Sequence, residues 1–226
     1  MTHPEMAPPG NGLDPAWTAK RFDAAILPQL EAHVDAQCTS QSYDLEPNLA
    51  VLKLYQFHPE ALKVPVVAKI LVKALMNLPE TDFLACTYLI PERVLDQDPI
   101  KAIVGVAAQL ERCSFREVWE VLTPLREEVL NATPGFDDAV RAFVLKTFEI
   151  TYQSVPKAHL RASLGYAEAD AAFVALVAKR GWTIDGDAVK IALNADNTAK
   201  PKRVDDSGPM DVSQMTKILA SVAASS

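Results

Sequence analysis

A mainly α fold follows from two changes of rhythm along this 226-residue chain. From Asp14 to Asn131, apolar residues recur at three- and four-residue spacing in segment after segment, separated by short breaks, which is the mark of amphipathic helices. Between Phe136 and Leu193 that period gives way, after three helical stretches, to two short β segments, GWTI and AVKIAL, joined by Asp185-Gly186-Asp187. Helix, helix, turn, helix and β-ribbon in that order predict a winged helix. A third observation is a last amphipathic stretch, Pro209–Ala223, beyond a polar linker.

Taken in order, residues 1–15 (MTHPEMAPPGNGLDP) are rich in Pro and Gly and predict a flexible arm. They have neither the basic n-region nor the apolar h-region of a secretory signal. Trp17–Gln37 places Phe22, Ile26, Leu30, His33 and Val34 near one helical face, with Pro28 marking a kink or a start. Pro47–Phe57 opens with proline in its first turn and would bury Leu49, Leu52, Leu54 and Tyr55. After the break at His58-Pro59 come helices over Val64–Asn77, Asp82–Ile90 and Pro99–Glu111. Ser114-Phe-Arg-Glu117 matches a capping box and would launch a helix to about Leu130, bent or divided by Pro124. Asn131-Ala-Thr-Pro-Gly135 is the clearest boundary signal. The segments share no strict repeat, so residues 16–133 are expected to form a degenerate helical-repeat (HEAT/TPR-like) array, an architecture more suited to binding than to catalysis.

Residues 134–198 form the winged-helix unit: helices Asp137–Tyr152 and Lys157–Ser163, a turn at Leu164-Gly165-Tyr166, helix Ala167–Lys179, then the ribbon. Residues 199–226 are the linker and tail. In the tail, Met210, Val212, Met215, Ile218, Leu219 and Val222 recur at mixed three- and four-residue spacing, with Ser207 or Gly208 as N-cap and Pro209 in the first turn. A helix this short is marginal alone and needs something to pack on. Met210, Met215, Ile218, Leu219 and Val222 are therefore the candidate partner-docking residues.

No constellation of catalytic, cofactor-binding or metal-ligating residues emerges. The four histidines, His3, His33, His58 and His159, are scattered, and no H-E-x-x-H or C-x-x-C occurs. Only eight glycines are present, with neither a phosphate loop nor G-x-S-x-G. Ser154-Val-Pro-Lys157 fits S-x-x-K, but Pro156 interrupts the turn that would align Ser with Lys. Asp137-Asp138 suits a helix N-terminus better than acid–base work. Cys38, Cys86 and Cys113 read as reduced thiols. No apolar run approaches the ~20 residues a membrane span needs.

Charge decides how to read the winged helix. The chain carries a net −7: residues 1–154 hold 13 Lys/Arg against 21 Asp/Glu (−8), residues 155–203 hold 8 against 5 (+3), and residues 204–226 hold 1 against 3 (−2). A nucleic-acid reader presents a basic face and, on its second helix, side chains that reach base edges. Here that helix opens with Glu168 and Asp170 and is otherwise rich in alanine, with Lys179 and Arg180 only at its end. Lys200, Lys202 and Arg203 read as a solvated linker, and Trp182 as a cover for the helix–ribbon core. Specific nucleic-acid binding is not expected; docking on protein is.

The strings YDLEPNLAVLKLYQF (Tyr43–Phe57), KALMNLPETDF (Lys73–Phe83), GFDDAVRAFV (Gly135–Val144), ITYQSVPK (Ile150–Lys157) and KRGW (Lys179–Trp182) run in order along most of the chain. In them the chain resembles the subunit k family of eukaryotic translation initiation factor 3, one of the PCI-type proteins. The resemblance implies a non-catalytic place, without cofactor, in a cytoplasmic multisubunit factor that binds the 40S ribosomal subunit. It implies subunit l as neighbour and a bundle of C-terminal helices as the destination of Pro209–Ala223. Two other readings share parts of the pattern: a PCI-type scaffold subunit of the proteasome lid or COP9 signalosome, and a free-standing winged-helix nucleic-acid-binding protein.

Overall fold

The structure, a computed structural model, describes residues 23–167, 171–199 and 211–224. The arm, Trp17, Phe22 and the proposed caps Ser207 and Gly208 lie outside the described residues. The array is built from α1 (Leu27–Ser40), α2 (Leu45–Phe57), α3 (Val64–Met76), α4 (Asp82–Leu89), the single turn α5 (Glu92–Leu95), α6 (Ile100–Glu111) and α7 (Phe115–Glu128). Pro28 marks a start rather than a kink, since it occupies the first turn of α1 after a short 3-10 turn at Ala24–Ile26. α1 packs on α2, α3 on α4 and α6 on α7, and α3 also packs on both α1 and α6. Three helical pairs stacked through α3 are thus the observed array.

α3 is the central element because its sequence is apolar on nearly every side. Val66, Val67, Ile70, Leu71, Val72 and Leu75 are all buried. Lys73 is buried with them, at 2% exposure, and burial lowers its pKa from the ordinary lysine value. The charged form is therefore disfavoured in the folded chain. Lys73→Met should raise stability by about 1–2 kcal/mol at neutral pH. A lysine whose folded pKa is depressed costs most where both states are charged, and the cost fades as pH climbs from the folded pKa toward 10.5. Denaturant melts at pH 7 and pH 10 should show the advantage of Lys73→Met shrinking at the higher pH.

The junction between α6 and α7 departs from the capping-box expectation. Ser114 is the N-cap of α7, but its side chain makes no capping bond and its ψ is 54°. Its backbone N–H, the donor Glu117 should claim, already donates to the Gln109 carbonyl at 2.9 Å, while Cys113 N–H donates to Leu110 at 3.0 Å. Those two bonds are a Schellman closure of α6, with Cys113 at φ 58° where glycine is usual. Cys113→Gly should add about 0.5–1 kcal/mol, left-handed strain relieved minus the entropy cost of glycine, readable as a shift in the denaturant midpoint. α7 then runs undivided through Pro124.

Beyond a 3-10 turn at Leu130–Ala132 lie α8 (Phe136–Thr151), β1 (Ser154–Pro156), α9 (Lys157–Ser163), α10 (Ala171–Lys179), β2 (Thr183–Asp185) and β3 (Ala188–Lys190). The sheet is antiparallel, in the order β1-β3-β2, pairing Val155 with Val189 and Ile184 with Val189. β2 and β3 turn through Gly186, at φ 59°, the first of two loop residues, where a hairpin favours glycine. One set of buried side chains extends from Ile26 through Phe148 to Ile191. α8 packs on α3, and α9 on α7. The tail helix α11 (Val212–Ala223) has no buried residue. Its N-cap is Asp211, two residues beyond the proposed Pro209 first turn.

Candidate docking surface

Three constructions shape the C-terminal part of the molecule: a joint, a staple and an exposed stripe. The joint lies where α7, α8 and α9 meet. Arg141 of α8 sits between two rings, its guanidinium 5.1 Å from the centre of Trp119 and 4.8 Å from that of Tyr166. Its Nε donates to the Leu164 carbonyl at 3.1 Å, and Trp119 Nε1 donates to Ser163 at 2.9 Å. Both acceptors are carbonyls at the end of α9, which have no partner within the helix. Gly165, at φ 70°, closes α9 by a second Schellman pair, with Gly165 N–H to Ala162 and Tyr166 N–H to Arg161. The turn foreseen at Leu164-Gly165-Tyr166 is thus held by an aromatic–cation stack.

The staple is Asn197. It is 8% exposed, and its Nδ2 donates to the carbonyls of Glu149 at 3.1 Å, Tyr152 at 3.2 Å and Ala192 at 3.0 Å. Its Oδ1 accepts from Asn194 N–H at 2.8 Å, and its own carbonyl accepts from Gln153 Nε2 at 2.7 Å. The polar segment that follows Leu193 is therefore pinned to the end of α8 as far as Asn197. Beside it, Ile150 and Leu193 are exposed.

The stripe is α11. Met215, Ile218, Leu219 and Val222 share one helical face at i, i+3, i+4 and i+7, with exposures of 46%, 52%, 69% and 58%. Met210 lies outside the described residues. Exposed apolar side chains concentrated on one face of a surface helix are the signature of a binding surface.

The remaining sequence expectations fall into place around these. Trp182 is 4% exposed and covers the helix–ribbon core together with Phe173, Val177 and Val189. Glu168 and Asp170 lie outside the described residues, while α10 exposes Ala171, Val174, Ala175 and Ala178. Among the described residues of α10, the exposed side chain able to reach a base edge is Lys179, in its last turn. Leu52, Leu54 and Tyr55 are buried as expected, and Leu49 is half-buried. Cys38 and Cys86 are buried free thiols, with the Cys86 pKa pushed up to about 12 by burial, and Cys113 is an exposed free thiol. Among the described residues, no helix is long and apolar enough to cross a membrane.

Sequence reasoning missed a groove between α8 and α10, about 730 Å³, with Ala142, Leu145, Tyr166 and Leu176 as its floor. Its rim carries Asp138, Arg141, Lys179 and Arg180, and Arg180 reaches across to Glu149 at 3.3 Å. The faces of two helices that fail to meet leave no periodic signal to find.

A helical array followed by helices and a small antiparallel sheet in winged-helix order, with an exposed apolar tail helix, is the arrangement of a PCI-type protein. The chain belongs to the CSN8/PSMD8/EIF3K family, whose model matches residues 61–203. It is 35% identical over 201 residues to the Homo sapiens protein named eukaryotic translation initiation factor 3 subunit K, covering 89% of this chain and 90% of that one. Similar relatives of the same name occur in Danio rerio, 36% identical over 88% of this chain and 90% of the relative, and in Anopheles gambiae, 36% over 79% and 80%.

Proposed function

We propose that this chain is a non-catalytic structural subunit of eukaryotic translation initiation factor 3, acting by protein–protein contacts in translation initiation on the 40S ribosomal subunit in the cytoplasm. The observation that carries the reading is likeness along nearly the whole of both chains to proteins named as subunit K. A shared module alone would not extend over 89% of the chain. Residues 16–133 serve as scaffold, residues 134–198 as a docking module and residues 199–226 as tether and docking helix. Subunit l is the neighbour we expect. Met210, Met215, Ile218, Leu219 and Val222 supply the apolar face of the tail contact.

Affinity purification of the tagged full chain from its own cells tests this. Recovery of the other initiation factor 3 subunits with 40S ribosomes is the expected result. Recovery of proteasome-lid or signalosome subunits in their place overturns it. Tight RNA or DNA binding by the isolated chain, falling steeply with salt, would instead favour the nucleic-acid reading.

A further inference from the structure

α11 has no buried residue in the structure, and its apolar stripe is exposed. We propose that it has a second position: the groove between α8 and α10 is a seat for the chain's own α11, occupied before assembly and vacated when a partner takes the helix. This rests on the reading of α11 as the partner-docking helix and adds what covers it beforehand.

Length supports the fit. Along α8 the groove is lined from Asp138 to Leu145, a rise of about 10 Å, and the apolar stripe of α11 from Met215 to Val222 extends the same about 10 Å. Chemistry supports it too, since an apolar floor of Ala142, Leu145 and Leu176 matches the stripe of Met215, Ile218, Leu219 and Val222.

The tether supplies the third argument. Asn197 pins the chain to the Glu149 carbonyl, one helical turn beyond Leu145 at the end of the groove. Only residues 198–211 separate that anchor from α11. Fully extended they reach about 46 Å, enough to lay the helix along the groove in either direction. A segment held this close is present at an effective concentration on the order of millimolar, so its own chain outcompetes a second copy.

The test is disulfide trapping in the full chain with Cys113→Ser, Cys38 and Cys86 being buried. Ala142→Cys in the groove is combined with Met215→Cys on α11; the control pairs Met215→Cys with Tyr88→Cys, an exposed site on α4. On mild oxidation the groove pair should close within the monomer at least ten times faster than the control. Equal rates, or disulfide-linked dimers alone, overturn the seat. Partner recovery by the wild-type chain is scored separately. A trapped monomer without recovered subunits sinks the assembly reading, and recovered subunits without trapping sink only the seat.

Discussion

Gly165→Ala should lower the stability of the chain by about 3 kcal/mol, combining the cost of a left-handed alanine with that of overpacking. A Cβ built at Gly165 falls 2.5 Å from Trp119 Cδ2 and 2.7 Å from Cε2, and the backbone is at φ 70°. The indole cannot retreat cheaply, because its N–H is committed to Ser163 and Arg141 stacks on its face. In a chain of this size the melting temperature should fall by roughly 6–12 °C. Adding Trp119→Ala should recover the part due to the clash and leave the backbone strain, a non-additivity that a double-mutant cycle reads directly. Gly105→Ala is the control. It lies in the middle of α6 with nothing within 4 Å of its Cβ position, and should gain about 0.5–1 kcal/mol.

The second large effect falls on assembly and leaves the fold alone. Ile218→Asp with Leu219→Asp should reduce recovery of partner subunits by roughly a hundredfold, the size expected when two central apolar anchors acquire charge. Both side chains are more than half exposed, so the isolated variant should melt within about 1 °C of wild type. Quantitative mass spectrometry of the purified complex, set beside calorimetry of the isolated chain, separates the two readouts. A variant that assembles normally would remove α11 from the interface.

Much of this architecture is written in short-range chemistry, and so it was legible. Lys157–Ser163 has the ends its residues predict because Pro156 sets its start and Leu164-Gly165 its stop. The ribbon is announced by Gly186 between β-prone residues. What escaped has no local signature. β1 is three residues long with one inward side chain, Val155, and a proline, so it becomes a strand only because β3 arrives 34 residues later to pair with it. Ser114-Phe-Arg-Glu117 looked like a capping box because the competing claim on Ser114 N–H comes from the previous helix. Asn197 resembles any linker asparagine until the end of α8 is placed beneath it. Within the tail, the stripe was readable from spacing, whereas its true cap, Asp211, was hidden behind the more familiar Ser-Gly-Pro.

The sharing of α8 has a consequence for how the molecule opens. Val144, Leu145 and Phe148 belong to the same continuous core as α3 and as the sheet residue Val189. No local fluctuation can expose them without parting the array from the wing. Their amide hydrogens should therefore exchange with solvent only through global unfolding, with the slowest rates in the chain. Heat or denaturant should take array and wing apart in one cooperative step, so a partner that grips the wing alone would protect the distant helices as well.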